Sequence, residues 1–195
     1  VAAGVARPAA KGEIWKNTMN PTETIWVLAL VLACCGGWMD WRTRRIPNWL
    51  TVSGIVVGLV ANAILGGWHG ALMSLEGAGL ALFLLLPLVL LRGFGAGDWK
   101  LMGAMGAAVG WQSMLSVLVL SAVISGAMAV YQIMAARRVK ETLGNMATLA
   151  AGFATFGLRA NPEISLDNPN LMKQPFGVAV ALATVFSFVL AHWRH

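Results

Sequence analysis

Charge is scarce in this sequence: Asp, Glu, Lys and Arg make up only 11% of its 195 residues, against roughly a quarter in an average soluble protein. So few ionic groups cannot cover a water-facing surface, which excludes a freely soluble fold. Cysteine is scarcer still. Cys34 and Cys35 are adjacent, a spacing that rarely closes a disulfide and matches no zinc motif, so they read as small apolar packing residues. The three histidines, His69, His192 and His195, fall in expected loops or at the C-terminus and do not converge. Neither a metal nor another cofactor is therefore expected. No Ser/His/Asp or Cys/His set suggests a nucleophilic enzyme. The net charge of +6 does not gather on a folded face with aromatic partners, so nucleic acid is not an expected ligand.

What the chain has instead is length of apolar run. Hydrophobic residues make up 58% of it, and they fall in unbroken stretches instead of alternating with polar ones, the pattern of bilayer spans. The runs are Ile25 to Met39, Trp49 to Leu65, Ala71 to Leu91, and Leu101 to Ala136, with a last one over Pro175 to Trp193. The fourth is too long for one crossing, because about 20 residues suffice. A break at Gly110, Trp111 and Gln112 divides it. The expected fold is therefore all-α, a polytopic membrane protein of about six transmembrane helices in a single domain over residues 19–195. Val1 to Thr18 reads as a disordered extension.

Charge supports the division. With a break at Gly110, ten of the 14 Lys and Arg residues fall on one side, in the connections 41–48, 92–100 and 137–174. Basic residues accumulate on the cytoplasmic side of membrane proteins. Both termini then lie outside. In the long connection, Met146, Leu149, Phe153 and Phe156 recur at helical spacing opposite Thr148, Gly152, Thr155 and Arg159. That pattern predicts a cytoplasmic amphipathic helix between spans five and six. A polar loop follows over 160–170.

Three acidic residues touch the spans: Asp40, Glu76 and Asp98. Ionisable groups near hydrocarbon are costly and need a reason. Asp40 closes the first span and Asp98 opens the fourth, both on the cytoplasmic side. Glu76 lies toward the other side, where a structural or interfacial role suits it. On topology alone, the two aspartates could equally be interfacial charges paired with Arg42, Arg44, Arg45 or Lys100.

The strings around them add a second observation. Asp40 opens DWRTRRIPNWLT, which carries Pro47 and Asn48. Asp98 closes GFGAGD, with Gly95 and Gly97 before it, and Lys173, Pro175, Phe176 and Gly177 open the last run. In this order on such a frame, the chain resembles the bacterial type IV prepilin peptidases, membrane aspartic peptidases of the GxGD type, and in particular the short forms serving Flp/Tad-type pili. The resemblance covers nearly everything from Met19 onward. It implies an endopeptidase that removes the basic leader of prepilin-like substrates at the cytoplasmic face of the bacterial inner membrane, with Asp40 and Asp98 as the catalytic pair. Longer relatives add a zinc-binding cysteine domain and methylate the product; this chain has no paired CxxC, so methylation is not implied.

The chemistry fits on its own terms. Peptide hydrolysis needs a base to activate water and an acid for the leaving amine. Two carboxyls sharing one proton supply both. Gly95 and Gly97 let an extended peptide backbone approach Asp98. The arginines at 42–45 suit anionic lipid head groups, since a prepilin leader is itself basic. Other GxGD-type peptidases and an ion-coupled transporter using Asp40 and Asp98 as a relay are the competing classes. Transporters place such groups near the midplane and often show inverted repeats, and neither feature is visible here. Oligomeric state is not legible.

Overall fold

The computed structural model describes residues 21–90, 94–135, 144 and 174–193. Within them it is all helix: α1 spans Pro21–Thr43, α2 Asn48–Leu90, α3 Ala96–Ala135 and α4 Phe176–Trp193. The expected N-terminal extension, the amphipathic helix and polar loop of the long connection, and Lys173 lie outside the described residues. Thr22–Thr43, Asn48–Leu90 and Ala96–Ala135 are long and apolar enough to cross a membrane, and Phe176–Ala191 is a shorter apolar helix.

α2 has 43 residues and α3 has 40. Drawn straight, each would be about 60 Å or more, twice the hydrocarbon thickness. Neither is straight. Gly67 has φ 59° and ψ −145°, and Gly110 has φ 74° and ψ 171°, a region that only glycine enters readily. The chain turns back at both. Asn62 and Ser74, on either side of Gly67, each donate to the Ala107 carbonyl, which a straight helix would forbid. The runs Trp49–Leu65 and Ala71–Leu91, expected as separate spans, thus fall on two arms of one interrupted helix, described as far as Leu90. At Gly110 the turn shows in the contacts of α4. Leu101 packs on Gly36, Gly36 lies against Gly177, and Gln174 Nε2 donates to Ser125 O at 2.8 Å. Leu101 and Ser125 therefore lie near the same end, although a straight α3 would separate them by about 36 Å.

The first arm of α3 is the centre of the bundle. Leu101, Met102, Gly103, Ala104, Met105, Gly106, Ala107 and Ala108 are all buried. Water cannot drive helices together inside a bilayer, so close packing and hydrogen bonds must do it, and small residues permit the approach. Gly77 and Gly106 meet backbone to backbone, Gly58 sits on Ala107 and Ala108, and Gly103 receives Leu82. Trp99 Nε1 donates to Leu82 O at 2.8 Å, tying the arms at the same level. A second apolar cluster of Trp26, Val117 and Ala183 joins α1, the second arm of α3, and α4.

The outer surface carries Val52, Val56, Phe83, Leu84, Leu88 and other large apolar groups, which acyl chains would cover. Cys34 and Cys35 belong to that surface. They are free and exposed, so the expectation that they are packing residues is corrected: Leu32, Ala33, Gly36 and Gly37 form the buried face of α1, and positions 34 and 35 fall on the opposite face. Glu76 is exposed as well.

Candidate active site

α1 ends at Thr43, within one turn of Asp40. Arg44 adopts a positive φ of 54° and its N–H donates to Asp40 O at 2.9 Å, the left-handed cap that commonly terminates a helix. The connection to α2 is short, and Pro47 stands immediately before the first residue of that helix, where its fixed φ suits a helix start. Leu50 N–H donates to Pro47 O, and Thr51 Oγ1 to Asn48 O. This tight corner carries Asp40 on one side and Ile46 to Asn48 on the other.

Asp40 lies in the last turn of α1 and is only 7% exposed. Its carboxylate accepts one backbone donor, the Gly177 N–H, at 2.8 Å from Oδ2. Gly177 is itself buried, and a Cβ there would stand 2.9 Å from Asp40 Cβ and 3.3 Å from Gly36 O. A Cβ on Gly37 would likewise meet Gly177 O at 2.9 Å. Glycine on both helices is what lets α4 begin against the carboxylate. Arg44 is near enough to attract Asp40 electrostatically.

Asp98 lies in the first turn of α3. The helix opens with Trp99 N–H donating to Gly95 O at 3.0 Å. The Asp98 carboxyl folds over Gly95, where a Cβ would approach Oδ2 to 2.8 Å, and Ile46 packs against Gly97. Asp98 Oδ1 is buried and receives no hydrogen bond among the described residues. Leu101, one turn after Asp98, packs on Gly36, one turn before Asp40, so the two acids stand at the same level of the bundle. Two acids from different helices thus occupy one end of the bundle.

Of the other residues singled out in the sequence, Asn48 accepts from Lys100 Nζ at 3.0 Å. Pro175 is buried, and Phe176 meets Phe94 edge-on, with ring centroids 4.9 Å apart. The three segments 46–48, 94–98 and 175–177 therefore interlock around the two acids. Lys100, weighed in the sequence as an ion-pair partner of the acids, donates to Asn48 instead, and Phe94, Gly36 and Gly37 carried no expected role in the site. The adjacent glycines late in an apolar run were the available signal, since they cost helix stability unless something approaches closely. Among the described residues, no group of three or more His, Cys, Asp or Glu side chains could hold a metal ion.

No curated protein and no solved structure matches the chain. The model of the type IV leader peptidase family matches residues 26–130, a stretch that contains both acids, the corner between α1 and α2, and the whole buried arm of α3. With more than half of its length matched, the chain belongs to the type IV leader peptidase family and is, by that membership, a membrane peptidase.

Proposed function

We propose that this protein is a prepilin peptidase: an aspartic endopeptidase that cleaves the basic leader from prepilin-like substrates at the cytoplasmic face of a bacterial inner membrane, with Asp40 and Asp98 as its catalytic pair. The observation that carries the reading is that acids from α1 and α3 lie at one level, fixed by Leu101 on Gly36 and Ile46 on Gly97, within the segment matched by the family. Like charges in such a site cannot both ionise cheaply, so the pair keeps one proton between them. The ionised member takes a proton from water as its oxygen attacks the scissile carbonyl carbon. The protonated member gives its proton to the amide nitrogen as the C–N bond breaks. The pair ends as it began, with one proton, and releases an acid and an amine.

The proposed frame has six crossings, α1 and α4 once each and the two arms of α2 and of α3 separately. Exposed Arg42, Arg44 and Arg45 then meet anionic lipid on the side where Asp40 lies. Trp38, Trp41 and Trp49 are exposed at the same level, as an aromatic belt at a membrane boundary would be. Co-expression with a candidate prepilin tests the activity, with leader loss followed by gel shift. Asp40→Asn and Asp98→Asn should each reduce processing by at least about a hundredfold while the protein still accumulates in the membrane. Full processing by either variant would sink the assignment.

A further inference from the structure

Two acids on separate helices can share a proton only if something holds their relative position. Among the described residues no hydrogen bond joins the two side chains directly. Each belongs to a different helix, Asp40 to the last turn of α1 and Asp98 to the first turn of α3. The start of α4 touches both segments with consecutive residues. Gly177 N–H holds the Asp40 carboxylate at 2.8 Å. Phe176, one residue earlier, grips Phe94 with its rings at 78° and centroids 4.9 Å apart. Phe94 stands at the head of the Gly95-Ala96-Gly97 approach to Asp98, outside regular helix.

We propose that the Phe176–Gly177 step is a positioning device, in which adjacent residues on one rigid helix start each hold one acid's segment and so set the pair's spacing. The proposal rests on the reading of Asp40 and Asp98 as the catalytic pair, and it gives the last helix a part in chemistry to which it contributes no reacting group. Phe176 and Phe94 are positioning residues. Their rings act through the acids, and a displacement of about 1 Å at a reacting centre can cost on the order of a hundredfold in rate.

The experiment uses the full chain in phosphatidylethanolamine–phosphatidylglycerol vesicles, with Phe176→Ala, Phe176→Leu, Phe176→Tyr and Phe94→Ala. With a prepilin substrate, Phe176→Ala and Phe176→Leu should lower kcat by roughly 10- to 100-fold with little change in KM. Phe176→Tyr, which keeps the ring edge, should recover most of that loss. Phe94→Ala combined with Phe176→Ala should be no worse than either alone, because the pair acts as a unit. The Leu variant keeps the volume and guards against a trivial folding defect.

A second readout needs no substrate. The carboxyl stretching bands of the two acids, assigned with Asp→Asn variants, report whether replacing Asp40 alters the titration of Asp98. It should do so in the wild type and cease to do so in Phe176→Leu, while Arg44, the basic group beside Asp40, remains in place. Unchanged kcat in both Phe176→Ala and Phe176→Leu, or linked titration that survives Phe176→Leu, would overturn the proposal. If the wild type cleaves no prepilin, the peptidase reading fails and the infrared result alone decides whether α4 sets the pair.

Discussion

Asn62 and Ser74 donate to the same acceptor, the Ala107 carbonyl, at 3.0 and 2.6 Å. Asn62 Nδ2 also reaches Gly58 O and Ala108 O, so the first arm of α2 through Asn62 and the second through Ser74 are both tied to one carbonyl of the buried arm of α3. Interhelical polar contacts in membranes average ~0.6 kcal/mol and reach ~1.7. Asn62→Leu should lie near the upper figure and Ser74→Ala near the lower, read from unfolding in mixed detergent micelles. The double variant should lose less than the sum, since the acceptor is shared.

Gly77 and Gly106 give a sharper test of packing. A Cβ at Gly77 would collide with the Gly106 carbonyl, and one at Gly106 with the Gly77 carbonyl, both of them backbone that cannot swing aside. Either alanine substitution should cost about 1–3 kcal/mol as an overpacked contact. Gly79→Ala and Gly126→Ala meet nothing within 4 Å. Those two should be neutral or slightly stabilising, by up to about 1 kcal/mol from helix propensity. Equal losses at all four positions in the same unfolding assay would contradict the contact.

At Gly67 a Cβ would have open space around it, so only its backbone angles forbid a side chain. Gly67→Ala should therefore cost about 1–3 kcal/mol from strain alone, and no change in neighbouring residues should rescue it. Thermal unfolding of the solubilised protein, with Gly66→Ala as the control in helical backbone, measures the difference.

The two reversals also make a prediction about sidedness. In a background with Cys34 and Cys35 replaced by serine, His69→Cys and Gln112→Cys should react with an impermeant maleimide from one side of the membrane. Arg45→Cys should react only from the other. All three positions are exposed. Labelling of position 112 from the same side as position 45 would leave α3 without its turn and the six-crossing frame without support.

The turn at Gly110 was legible before any coordinates, because charge on the two sides of the membrane balances sensibly only if the long apolar run breaks there. The common end shared by Asp40 and Asp98 was legible for the same reason: counting crossings fixes depth. The partners within that end were not. Gly177 shows in the sequence as part of a short string, yet its contribution is a backbone N–H, which every residue but proline possesses. Phe94 and Ile46 look like ordinary apolar residues, and only packing reveals what they press upon. Cys34 and Cys35 went the other way, because composition says apolar without saying which side of a helix faces lipid.

The arm from Ala96 to Gly110, buried without a break from Leu101 to Ala108, is a poor candidate to enter a bilayer alone. It is short, rich in glycine, and carries Asp98 and Lys100 near its start, residues that raise the cost of transfer from the translocation machinery into lipid. Its neighbours must be present to draw it in. Biogenesis and activity should therefore be joined: the segment that brings one acid to its place is expected to enter the membrane together with the helices that surround it.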